Sequence, residues 1–227
     1  MDRRQFLEGS LSVALLAGLS RRAPGSPSGS QQPPRRSLAE PGPMLPPVPA
    51  LLLTVDGPPG APDEISVVWS FVINGAPPQV GVSVGHEHVA RELIEASGAF
   101  VLNVPIADLV ERFDRVDMSS SRTGDKFALA GLTRGRASSV EAPTVEECPI
   151  HIECRVFHRV EVPPARTVFL AEVMATRVTE GTVDEEGRLR VEAVPFFGMT
   201  AGSGEHYTMG DRIGNIGMTV GRSDIKY

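Results

Sequence analysis

The sequence is poor in cysteine, lysine and aromatic residues, and it lacks any long apolar run. Two cysteines, Cys148 and Cys154, are too few for a disulfide framework or a four-cysteine zinc site. Six positions apart on an extended segment they would stand about 20 Å from each other, so buried free thiols are expected. No stretch reaches the roughly 20 apolar residues needed to cross a bilayer. No Gly-x-Gly-x-x-Gly follows a strand pattern, and neither a phosphate-binding P-loop nor His-Glu-x-x-His occurs. Ala201 stands where a nucleophile elbow before Gly202-Ser203-Gly204 would need glycine. The dinucleotide fold, P-loop enzymes, thermolysin-like zinc sites and α/β-hydrolases thus lose their motifs.

What is present divides into a basic front and an acidic body. The chain has 227 residues, 41% of them hydrophobic, which suits one sizeable domain. Six arginines fall in the first 40 residues; beyond them 16 basic and 25 acidic residues leave a net charge of −9, which repels nucleic-acid phosphates. Residues 1–22 hold Arg3-Arg4 followed by Phe6-Leu7 and an apolar stretch from Leu11 to Leu19, the layout of a twin-arginine export signal. That predicts a periplasmic or other extracytoplasmic protein. Ser37-Leu38-Ala39 has a cleavage-site composition but lies far downstream, leaving cleavage and retention as an anchor both open. Residues 23–47, rich in Pro, Gly, Ser and Arg, read as a solvated tether. The folded domain is expected over 48–220, with a tail at 221–227.

Within the domain, apolar alternation predicts strands over Ala50–Val55, Ile65–Ile73, Val80–Val84 and Phe100–Val104. Helical spacing predicts helices from Val89 to Ser97, stopped by Gly98, and from Ala107 to Val116. Ile150, Ile152, Cys154 and Val156 alternate with His151, Glu153 and Arg155, the pattern of a strand with one wet face. Thr167–Val178 is apolar on both faces and should be central; Asp184-Glu185-Glu186-Gly187 should turn a hairpin. Six or seven strands with few helices predict a mainly β, antiparallel Greek-key barrel.

Three features could carry chemistry. His86-Glu87-His88 could grip a divalent cation, although two solvated histidines at a strand-to-helix junction is the simpler reading. Trp69, the one tryptophan, is either core or a wall against a planar ligand. Lys126 is either a solvated charge or, where 20 of 22 basic residues are Arg, a retained compact point charge. No catalytic triad or acid–base pair is visible.

Taken in order, Val67-Val68-Trp69, Pro77-Pro78, Glu92-Leu93-Ile94, Phe100 to Pro105, Asp125-Lys126-Phe127, Gly131-Leu132-Thr133 and above all Glu146-Glu147-Cys148-Pro149-Ile150-His151-Ile152-Glu153-Cys154 resemble the flavin reductase-like family. More narrowly, they resemble its flavoredoxin and ferric-reductase-like branch. The resemblance covers residues 48–218 and implies an FMN-binding split β-barrel and a homodimer with FMN where two barrels meet. It also implies hydride transfer from NAD(P)H to the flavin and onward electron transfer to an acceptor. It implies cofactor contacts at Trp69, Ser70, Ser83, Val84, Gly85, His86, His88, Asn103, Lys126 and His206. In this resemblance Trp69 walls the ring system and Lys126 offers a cation to its polar edge. The family often places Arg and Thr or Ser where this sequence has Gly85 and Ala90, so His86, His88 or backbone N–H groups at the next helix are left to hold the phosphate. Asn74-Gly75-Ala76 likewise replaces the usual Ser-Ser-Asp. A barrel that holds flavin without turnover, and a dimeric scaffold with an empty pocket, are the alternatives to an enzyme.

Overall fold

The computed structural model describes residues 35–221. The signal-like segment at 1–22, residues 23–34 of the tether and residues 222–227 of the tail lie outside the described residues. A short β1 (Val48–Pro49) leads into β2 (Leu51–Val55), β3 (Glu64–Gly75) and β4 (Pro78–Gly85), an antiparallel meander. The chain then leaves the sheet through α1 (Val89–Ser97) and returns as β5 (Ala99–Val104) beside β2. Gly98 ends α1 at φ +68°, a left-handed conformation costly for other residues, and its N–H donates to Ile94 O at 2.8 Å.

A 3-10 turn over Ala107–Leu109 precedes α2 (Val110–Asp117); α3 (Lys126–Ala130) and the hairpin β6 (Arg134–Arg136) and β7 (Pro143–Val145) follow. Two thirteen-residue strands, β8 (Ile150–Val162) and β9 (Arg166–Val178), fill the remaining gap. The strands close in the order β2-β3-β4-β9-β8-β5, every pairing antiparallel. Because β4 and β5 are consecutive in sequence but have two strands between them in the barrel, the topology is the expected Greek key. A small second sheet is formed by β1, β10 (Phe197–Met199) and β11 (His206–Thr208).

Strand alternation splits the apolar residues into two cores. Leu51, Leu53, Val68, Val82, Phe100, Leu102 and Phe169 fill the barrel, with Ala90 and Ile94 of α1 among them. Leu52, Ile65, Phe113, Phe127 and Phe197 form an outer cluster where α2, α3 and β10 cover the wall. Cys148 and Cys154 are free and buried, in different clusters. Burial, reinforced by the charge of Glu153, pushes the Cys154 thiol up to about 12.

One expectation fails in β8. Ile152, Cys154 and Val156 pack into the barrel core as the alternation requires, but Glu153 on the other face is fully buried, not wet, because the 138–139 segment covers it. Its carboxylate accepts hydrogen bonds from Ser138 N at 3.0 Å, Ser139 N at 2.5 Å and Ser138 Oγ at 3.0 Å.

Candidate functional site

The outer face of the β3–β4–β9 ladder is built from rows set by register. Trp69 lies opposite Ser83, and Gly85 opposite Arg166. With small residues at 83 and 85, nothing on β4 stands above the sheet. Arg166 can therefore reach across it, placing its guanidinium 4.0 Å from the centroid of the Trp69 ring and donating to Ser83 O at 3.1 Å. A cation over an indole is held by the ring's negative face. Trp69 itself is 43% exposed, a wall and not core. Val67, Trp69, Gly85 and Arg166 line one side of a cleft of about 190 Å³; His88, Asp117 at the end of α2 and Met199 of β10 line the other.

The segment leading from β4 to α1 turns tightly at the cleft's edge. His86 N donates to Ala165 O at 2.8 Å and His88 N to Gly85 O at 3.1 Å. His86 Nε2 stands 3.3 Å from Glu161, and His88 Nε2 is 3.2 Å from Glu87. Both histidines are half-buried and engaged by carboxylates. Glu87 folds back over Gly85, where a Cβ would run into its carboxylate oxygen. Its own backbone N–H, and beyond that the charges of His88, Arg166 and His86, hold the Glu87 carboxyl below the ordinary range. His88 is the N-cap of α1 but supplies no side-chain cap.

Other residues expected at the cofactor lie elsewhere. Ser70 alternates to the opposite face of β3, across from Val82. Val84 points into the barrel core, although it also borders the cleft. Asn103 is fully buried: its amide donates to Leu52 O at 2.9 Å and Thr54 Oγ1 at 3.0 Å, and its oxygen accepts from Val145 N at 2.9 Å. It ties β5, β2 and β7 together, with no group left for a ligand. His206 sits edge-on to Phe113 and Phe197, with centroids 5.5 and 5.6 Å away, beside the cleft residue Met199 in the ladder. Ala90 belongs to the barrel core, where a hydroxyl would be buried.

Lys126 is not solvated. Asp125 caps α3 by accepting from Phe127 N at 3.0 Å and Ala128 N at 3.4 Å, which fixes Lys126 in the first turn while Phe127 anchors the outer core. Lys126 is 5% exposed and lies 3.8 Å from Glu64, itself 3% exposed. Burial holds the Lys126 ammonium below its ordinary range, opposed by the charges of Glu64 and Asp117. It does not line the cleft, but Asp117, whose charge it feels, does.

The cleft therefore brings together Trp69, Val84, Gly85 and His88 of the predicted residues; His86 follows Gly85 in the chain, and Ser83 lies opposite Trp69 and accepts from Arg166 without lining the cleft. Arg166, Asp117 and Met199 had no signal of their own. The nearest clue to Arg166 is an arginine opening a strand directly after the Pro163-Pro164-Ala165 turn, and its partner is visible only once the register is known.

A family model described as "Flavin reductase like domain" matches residues 46–193. An uncharacterized protein of Archaeoglobus fulgidus is 28% identical over 147 residues, spanning 65% of this chain and 80% of that one. The structure is similar to flavoredoxin of Desulfovibrio vulgaris (Miyazaki F), with TM-score 0.73 and 26% identity over 80% of this chain and 97% of the other. It shares the fold of a flavoredoxin from Methanosarcina acetivorans, with TM-score 0.72 and 24% identity over 82% of this chain and all of that one. The matched span contains β2 to β9, and so the whole barrel together with Trp69, Gly85 and Arg166. The chain belongs to the flavin reductase-like domain family.

Proposed function

We propose that the protein is an exported FMN-dependent oxidoreductase of the flavin reductase type, working as a homodimer. It would take hydride from NAD(P)H and pass electrons to an acceptor. The observation that carries this reading is the cleft on the outer barrel face. An indole wall, an arginine and a glycine without a side chain converge there, and the family is one of flavin reductase-like domains. These residues fit a flavin. Trp69 and Met199 offer flat and apolar surface, while Arg166 and His88 offer donors to anionic groups. When bound, flavin supplies the hydride and electron chemistry, and the protein supplies position and field.

A cleft of about 190 Å³ is smaller than the roughly 300–1,000 Å³ of ordinary ligand pockets. A second copy would supply the missing wall. The outer rows continue from the cleft through Phe71, Val168, Leu170, Val160 and Val162, an exposed or half-exposed apolar surface suited to that contact. Purified protein should carry or take up FMN with the yellow absorbance of a bound flavin, and should then oxidise NADH or NADPH when an electron acceptor is supplied. Flavin uptake without nicotinamide oxidation would leave a binding protein; no flavin uptake would remove the proposal. Export rests on Arg3-Arg4 and the apolar stretch after them. Changing both arginines to lysine should retain the protein in the cytoplasm, and unchanged fractionation would count against the twin-arginine route.

A further inference from the structure

We infer that Arg166 is a positioning residue that acts through Trp69: its guanidinium holds the indole in the plane against which a flat ligand stacks. The inference rests on the flavin reading above for the identity of that ligand.

Trp69 is a wall with little around it to brace a ring. Across the ladder from β3, the outer row of β4 is Gly81, Ser83 and Gly85, none of which carries a large side chain. Phe71, the next aromatic along the row of β3, is seated there, its ring filling the space that a Cβ at Gly81 would take. Trp69 lies opposite Ser83 instead and is left 43% exposed. Two torsions join an indole to its backbone, so a ring on an open face turns unless something meets its surface. Arg166 does so, with its guanidinium 4.0 Å from the ring centroid.

The clamp is itself fixed. Its guanidinium donates to Ser83 O at 3.1 Å, and Arg166 pairs with Val162 across the β8–β9 hairpin. Beside it, Ala165 O accepts from His86 N at 2.8 Å and ties the hairpin to the turn after β4. Among the described residues Arg166 forms no ion pair within 4 Å, so its charge is directed at the negative face of the indole and not at a carboxylate. An indole confined in this way has less orientational freedom to lose when a flat ring stacks on it.

Trp69 is the sole tryptophan, so its emission reports the clamp directly in flavin-free protein. Arg166 lies outside both apolar cores, and its variants keep the barrel. In Arg166→Gln the fluorescence anisotropy of Trp69 should fall and its quenching by acrylamide should rise; Arg166→Lys, which keeps a cation for the ring, should recover part of both. Riboflavin, titrated by quenching of its own fluorescence, should bind Arg166→Gln about two- to fivefold more weakly, the effect of one exposed cation–π contact. In a Trp69→Leu background the same substitution should change riboflavin affinity little, because the arginine then has no ring to hold. Anisotropy and quenching that are unchanged in Arg166→Gln overturn the inference. So does tighter riboflavin binding, which would make Arg166 a cover over the ring's seat, and so does an equal loss in both backgrounds, which would make it a direct contact. If none of these proteins binds riboflavin, the flavin reading fails and the Trp69 emission decides alone: a fall in anisotropy supports the clamp, and no change overturns it.

Discussion

An ammonium and a carboxylate 3.8 Å apart and almost sealed from water, as Lys126 and Glu64 are, balance a large desolvation cost against their mutual attraction. Glu64 has one further support, a hydrogen bond of 2.7 Å from Ser66 Oγ. Removing the lysine leaves that carboxylate buried without a counter-charge. Lys126→Met should therefore destabilise the protein by about 3–5 kcal/mol in chemical denaturation, and Glu64→Gln in the same chain should restore much of the loss. A cost below about 1 kcal/mol for the single variant would show that the pair contributes little. The scarcity of lysine singled out this residue in the sequence, but its burial and its partner were not legible there. Both depend on β3 and α3 meeting across more than 60 positions. The same holds for Arg166, whose role comes from lying opposite a glycine and diagonal to a tryptophan. By contrast Trp69 and Gly85 stood out, the one as the sole large indole and the other as a departure within a family pattern.

Elements with unbroken periodicity were read almost to the residue. α1 runs from Val89 to Ser97 with Gly98 as its left-handed stop, and β4 ends at Gly85 as the alternation of Val80, Val82 and Val84 indicates. β8 was legible in its start and its alternation but not in the burial of Glu153, because the 138–139 segment covers that side of the strand. A period-two pattern cannot announce such a cover, since it depends on a segment remote in sequence. Burial alone would raise the Glu153 carboxyl, yet the N–H groups of Ser138 and Ser139, the Ser138 hydroxyl and the charge of Arg177 together hold it below its ordinary value of 4.5. With the folded value depressed, the unfolded chain takes up its proton first as acid is added. The stability that Glu153 contributes is therefore complete above about pH 4.5 and is lost as pH falls through the lower folded value. Glu153→Gln should cost about 2 kcal/mol at neutral pH, by weakening charge-assisted bonds that pin the 138–139 loop. Urea midpoints measured between pH 6 and pH 3 should converge for wild type and variant on the acid side. A constant gap across that range would exclude the ionised carboxylate as the source.

At the scale of the molecule, closing six strands into a barrel removes the sheet edges but not the apolar outer surface. Strand count indicated a mainly β Greek-key barrel, and the family resemblance indicated the split barrel. Neither showed which outer face is left uncovered, because that depends on where α2, α3 and β10 settle. They cover the wall around Leu52 and Ile65, and the β3–β4–β9–β8 face stays open. There Trp69, Phe71, Val160 and Val162 are each more than 40% exposed, in rows that run directly into the cleft. One surface thus carries both the apolar patch and a cleft too small to enclose a flavin, which supports the proposal of a twofold contact that completes two sites at once. Val160→Glu places a charge in the middle of that patch without touching the barrel interior, since Val160 lies opposite Val168 on the outer side. Light scattering at micromolar concentration should show a dimer for wild type, with an interface above roughly 1,600 Å², and a monomer for the variant. The variant's melting behaviour should match that of an intact barrel, and its flavin affinity should fall at least about tenfold, as expected for a site that loses one wall. A Val160→Glu protein that is monomeric yet binds flavin like wild type would place the site within a single chain; a wild type that is already monomeric would leave the exposed face for another partner.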